Sequence, residues 1–122
     1  MARVSYKTAA ELSPDDQDLL GRNFNIYRAL ANSPKGAREF IGLTQFLRHH
    51  SRLDGRLREL AILQVGYMTS SPYEFSHHVE IAREFGVTDE DIQAIATETK
   101  GQVSGLEPLA RAVLLAAREM TD

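Results

Sequence analysis

The sequence contains no cysteine among its 122 residues. A disulfide framework and a thiol nucleophile are excluded within it. A small chain without disulfides must then gain stability from helix packing or subunit association, and association is favoured. Long hydrophobic runs are missing too: the strongest, residues 60–68, is interrupted by Gln64 and falls far short of the ~20 apolar residues that span a bilayer. No membrane contact is expected. Positive charge is not in excess, since 14 Lys and Arg against 17 Asp and Glu leave a net charge of −3, and the basic footprint of a nucleic-acid-binding domain is absent. The opening Met-Ala-Arg-Val-Ser-Tyr-Lys leads into no apolar stretch, so it is not a secretory signal, and a cytoplasmic address is expected. No strand-like alternation and no internal repeat occur.

What is present is an ordinary globular mixture, 43% hydrophobic and 25% charged, sized for one domain over residues 1–122. Three of the four prolines follow serine, at Ser13-Pro14, Ser33-Pro34 and Ser71-Pro72. Each pair reads as a helix start, with serine at the N-cap accepting a first-turn N–H and proline at the first helical position. Short helices are expected over 14–21 and 24–31. A longer one runs from Pro34 toward His49, with Ala37, Phe40, Ile41, Thr44 and Leu47 on one face. Asp54 caps the next, whose residues 57–68 are apolar on nearly every side, the pattern of a helix buried all round. Ser71 and Glu74 form a capping-box signature for a helix carrying Phe75, His78, Val79, Ala82 and Phe85 to a stop at Gly86. Thr88-Asp89-Glu90-Asp91 starts another helix that ends at Lys100-Gly101, and a last one begins near Ser104 or Glu107. The fold class is all-α, with a central antiparallel helical hairpin.

The candidate chemistry lies in that hairpin. Glu74 and His78 are four apart and share a helix face, where a carboxylate can orient an imidazole for proton transfer near neutral pH. An antiparallel return would bring Glu59 near His78. Each residue also has a plain structural reading. Glu74 can return a hydrogen bond to the Ser71 amide, Glu59 can be a surface carboxylate paired with Arg56 or Arg58, and His78 can be a satisfied core histidine. His77 falls on the more polar side and reads as exposed or interfacial. Adjacent histidines at 49–50 and 77–78 point about 100° apart on a helix, so neither pair makes a metal site, and neither metal nor cofactor is expected. Arg48, Arg52, Arg56 and Arg58 form a basic segment able to attract a carboxylated substrate, or simply a solvated or subunit-facing one.

The stretch Arg-Leu-Arg-Glu-Leu-Ala-Ile-Leu-Gln-Val-Gly-Tyr-Met-Thr-Ser-Ser-Pro-Tyr-Glu-Phe-Ser-His-His resembles the core of the carboxymuconolactone decarboxylase and alkylhydroperoxidase D-like superfamily. The likeness is strong over 53–95 and weak before it. On this resemblance residues 53–98 are the family core, 1–50 an N-terminal helical extension, and the fold an alkylhydroperoxidase D-like helical bundle. The family's glutamate falls on Glu59, its Cys-x-x-Cys pair on Ser71 and Glu74, and its histidine on His78. With both thiols replaced, a thiol peroxidase cycle is excluded, and the segment is similar instead to the Tyr-Glu-aromatic-x-x-His pattern of cysteine-free, decarboxylase-like members. The resemblance implies Glu/His proton transfer by Glu59, Glu74 and His78 on a small carboxylated or lactone substrate; Tyr73 and, from the basic segment, Arg56 are the candidate substrate-binding residues, although no motif selects one arginine over the others. It also implies a homo-oligomer, a trimer, hexamer or dimer. Two alternatives stay open: a peroxidase-like antioxidant protein without the thiol mechanism, and a non-catalytic oligomeric binder of small molecules. Similar cysteine-free chains often carry further helices, so helices after the abrupt end at Thr121-Asp122 are expected.

Overall fold

The computed structural model describes residues 3–22 and 24–121. The readings that rest on Met1, Ala2 and Asp122 lie outside the described residues. Helices make up all the regular structure among the described residues, with no strand, and the chain divides into two compact units, Met1–Ser51 and Arg52–Asp122.

In the first unit, 3-10 turns at Ala9–Glu11 and Pro14–Leu20 precede helices α1 (Asn25–Leu30) and α2 (Pro34–Gln45), and α2 runs into a π-helical turn, Phe46–His50. Arg38 on α2 forks onto the Asp18 carboxylate at 2.9 and 3.0 Å and reaches Asp16 at 3.1 Å, fastening the acidic 3-10 turn to the helix. On the expected apolar face Ala37 is buried, whereas Phe40 and Leu47 stand exposed.

In the second unit α3 (Gly55–Met68) packs against α4 (Pro72–Glu84), α5 (Asp89–Thr99) and α6 (Pro108–Thr121). Leu60 and Leu63 of α3, Ile95 of α5 and Leu114 of α6 are fully buried at its centre, each worth roughly 1.5–3 kcal/mol of transfer free energy. The expected Asp54 cap holds, accepting from the Leu57 amide at 3.2 Å, and the helix start expected at residues 88–91 is built as a complete capping box of Thr88 with Asp91. Arg56 binds that same Asp91 through two nitrogens, at 2.8 and 2.9 Å, and Glu107 at 2.7 Å. It thereby joins the starts of α3 and α5 to the residue just before α6.

Three expectations are corrected. The serines at 13, 33 and 71 do stand before a proline, yet none of their hydroxyls caps a helix. Ser33 and Ser71 have ψ of 84° and 88°, away from the extended N-cap geometry that aims the side chain at the first turn, and Ser13 donates instead to Asp16 at 2.8 Å. The capping box at Ser71 and Glu74 is consequently not formed. Finally, α3 is not buried all round. Val65 and Tyr67 are about two-fifths exposed (39% and 40%), although Tyr67 continues the Leu60 and Leu63 side into the last turn of the helix.

Helices α3, α4 and α5 end in the same way. The residue after the cap adopts positive φ, and two successive amides return to the last turn, the pairing of a Schellman motif. At α4 and α5 the positive-φ residue is Gly86 (84°) or Gly101 (74°), but at α3 it is Ser70 (50°). The Ser70 amide reaches the Tyr67 carbonyl at 3.3 Å and the Ser71 amide the Gly66 carbonyl at 3.0 Å. This left-handed serine sits in the sharp turn of the hairpin.

Candidate active site

The hairpin brings α4 back along α3, and its inward stripe delivers His78 against Glu59. Nδ1 of His78 lies 2.8 Å from Oε2 of Glu59, with the two residues 6% and 2% exposed. The surface reading of Glu59 is thereby overturned. Its other oxygen accepts from Nε of Arg58 at 3.1 Å, and the Arg58 guanidinium lies 4.6 Å from the centroid of the Phe85 ring, a cation–π distance. Burial pushes the Glu59 carboxyl up, but the hydrogen bonds from His78 and Arg58 outweigh it and hold the group below its ordinary value. With Glu59 ionised, Nδ1 of His78 carries the donated proton and Nε2 is left to exchange one.

Nε2 faces Glu74. Its distance to Oε2 is 4.0 Å, an ion-pair separation longer than a hydrogen bond. The Glu74 side chain is 57% exposed, so it can rotate about its own torsions to close that gap. Glu74 also lines a solvent-open cavity of about 570 Å³ between α3 and α6, walled by Ala61, Ile62 and the partly exposed Val65 on one helix and by Ala117 and the largely exposed Met120 on the other. Ser71, at the end of the strained turn, borders the same space. Of the three residues expected to carry chemistry, Glu59 and His78 are paired in the interior, and Glu74 alone connects that pair with the cavity.

The remaining expected residues lie apart from this centre. Arg56 is engaged by Asp91 and Glu107. Tyr73 is 66% exposed, its ring stacked on that of His77 at 6.1 Å. Neither lines the cavity. The cavity wall itself was not foreseen in the sequence; the available signal was the apolar residue on every side of α3, read as complete burial. Gln64 was missed as well. Fully buried, it donates to the Thr99 hydroxyl at 2.9 Å and accepts from Arg118 at 3.4 Å, a polar tie among α3, α5 and α6.

An all-helical unit with a buried carboxylate–imidazole pair leading to an apolar cavity is the class of protein these features define. The chain belongs to the carboxymuconolactone decarboxylase family, whose model matches residues 34–119, from the start of α2 to near the end of α6. No curated protein and no solved structure matches it.

Proposed function

We propose that the protein is a decarboxylase-like enzyme that moves a proton on a small carbonyl compound of the lactone class held in the cavity beside Glu74. The observation that supports this most is the chain of contacts from Arg58 through Glu59 and His78 to Glu74, which runs from the interior to the cavity wall. Glu74 exchanges the proton with substrate, and Nε2 of His78 exchanges it with Glu74. Glu59 fixes the ring and its tautomer and balances charge when the imidazole is protonated. A cysteine-free chain offers no thiol for peroxide reduction, so the proton-transfer reading is preferred to a peroxidase-like one.

The test uses butenolides with and without a carboxylate substituent, followed by NMR in D₂O for deuterium uptake and for loss of carbon dioxide. Turnover that falls at least about 100-fold in Glu74→Gln and His78→Asn, with helicity retained, supports the reading. Turnover indifferent to both substitutions, or binding of every lactone without exchange, overturns it and leaves a binding protein.

The proposal keeps a homo-oligomer. On α2 and the π-helical turn Leu43, Phe46 and Leu47 are 56%, 53% and 48% exposed, an apolar face that a second copy would cover. Sedimentation of the wild type against Leu43→Glu decides this: a wild-type monomer rejects it.

A further inference from the structure

The cavity beside Glu74 holds charge information that the proton-transfer reading does not use. Its helical walls are apolar, from Ala61 and Val65 to Ala117 and Met120, and among the described residues no lysine, arginine or histidine lines it. Glu74 is the ionisable group in its lining. The arginines of α3 are turned to other partners, Arg56 to Asp91 and Glu107, Arg58 to Glu59 and the Phe85 ring. Glu74 also occupies the first turn of α4, so the positive end of that helix already has a carboxylate of its own.

A ligand carboxylate entering this space would exchange part of its water for an apolar wall, meet no cation among the described lining residues, and stand beside the exposed Glu74 carboxylate. All three effects oppose it. An uncharged carbonyl compound meets the first only weakly and the other two not at all, and about 570 Å³ of solvent-open space admits a skeleton as large as two or three fused or linked rings.

We propose that the cavity selects an uncharged, largely apolar carbonyl compound and discriminates against carboxylates. The inference rests on the proton-transfer reading for placing substrate at Glu74, and it narrows the reaction, because an uncharged substrate has no carboxylate to release as carbon dioxide. The step is then a proton relocation. Glu74 takes a proton from the carbon next to the carbonyl, the C–H electron pair moves into the enolate, and the proton returns at another carbon of the same conjugated system. Nothing is oxidised or reduced, and no second reactant is consumed.

Two fluorescent probes of nearly identical skeleton separate the possibilities: uncharged N-phenyl-1-naphthylamine and its sulfonated analogue, 8-anilino-1-naphthalenesulfonate. The uncharged probe is expected to bind the full chain at least about 10-fold more tightly, corresponding to about 1.4 kcal/mol. Glu74→Gln should narrow that ratio by strengthening the anionic probe. Val65→Trp, which fills the cavity from a partly exposed position that tolerates a large side chain, should abolish uncharged-probe binding; Ala61→Phe is the second filling variant should the first unfold. Equal or tighter binding of the sulfonate by the wild type overturns the proposal, as does uncharged-probe binding that survives both filling variants in folded protein. His78→Asn should leave the ratio unchanged while removing proton exchange, so a failed charge preference and a failed proton-transfer site give different results.

Discussion

Glu59 and His78 meet at 2.8 Å in the interior although 19 positions separate them in the chain. The contact joins the two arms of the hairpin, and neither partner has water to fall back on. Removing His78 leaves the buried Glu59 carboxylate with Arg58 alone, and removing Glu59 leaves the buried Nδ1 of His78 without its acceptor, either of which is costlier than never having had the pair. Glu59→Ala and His78→Ala are each expected to lose about 2–4 kcal/mol in urea unfolding. The double variant should lose clearly less than the sum, and strict additivity would refute the coupling.

Acid should weaken the protein partly through Glu59. Its folded carboxyl titrates below the ordinary 4.5, so the unfolded chain binds the proton more readily. The stabilisation is complete above that ordinary value and drains away as pH falls through the lower, folded one. Asp91, Glu98 and Glu107 are lowered as well, and their loss falls in the same acid range. Unfolding free energy should therefore decline on acidification below about pH 5. Glu59→Gln should decline less steeply, and an unchanged slope would count against the Glu59 contribution.

Ser70 carries a left-handed backbone that glycine adopts without penalty. Replacing it with glycine should stabilise the protein by about 0.5–1 kcal/mol, since relief of the side-chain clash outweighs the added freedom of the unfolded chain. Gly86→Ala and Gly101→Ala, at the equivalent positions of α4 and α5, should cost about 1 kcal/mol each. Thermal melts of the three variants check the signs. A destabilising Ser70→Gly would mean that the Ser70 side chain contributes more than its backbone costs.

Arg56 joins three helix starts through Asp91 and Glu107, and Arg56→Ala should cost about 1–3 kcal/mol. Lysine should not restore it, because one ammonium cannot reproduce the two-nitrogen grip on Asp91. Probe affinity for the cavity should change less than twofold in either variant. A selective loss of carboxylate binding in folded Arg56→Ala would instead return Arg56 to the substrate-binding role that its sequence position suggests.

Much of the second unit was legible in one dimension because its signals are local. Asp54, Thr88 with Asp91, Gly86 and Gly101 start and stop helices through bonds within a turn or two, and the stripe around His78 shows which way that ring points. Serine before proline was equally legible as a helix boundary, but not as a cap, because capping depends on a ψ angle that the residue types leave open. An apolar pocket at the Glu59, Glu74 and His78 cluster was an expectation, but its walls were illegible for a different reason: they come from α3 and α6, and an apolar side chain looks the same whether a neighbour covers it or not.

The sequence by itself determined that the protein is all-helical, that it has no thiol chemistry within these residues, and that a glutamate and a histidine occupy facing arms of one hairpin. Those properties follow from composition, periodicity and short-range capping. Only the tertiary structure decided that Glu59 is an interior partner of His78, that Glu74 stands at a cavity instead of capping its own helix, and that Arg56 is spent on Asp91 and Glu107. Each of these depends on which side chains from distant helices arrive within about 3–4 Å of one another, where hydrogen bonding and ion pairing act.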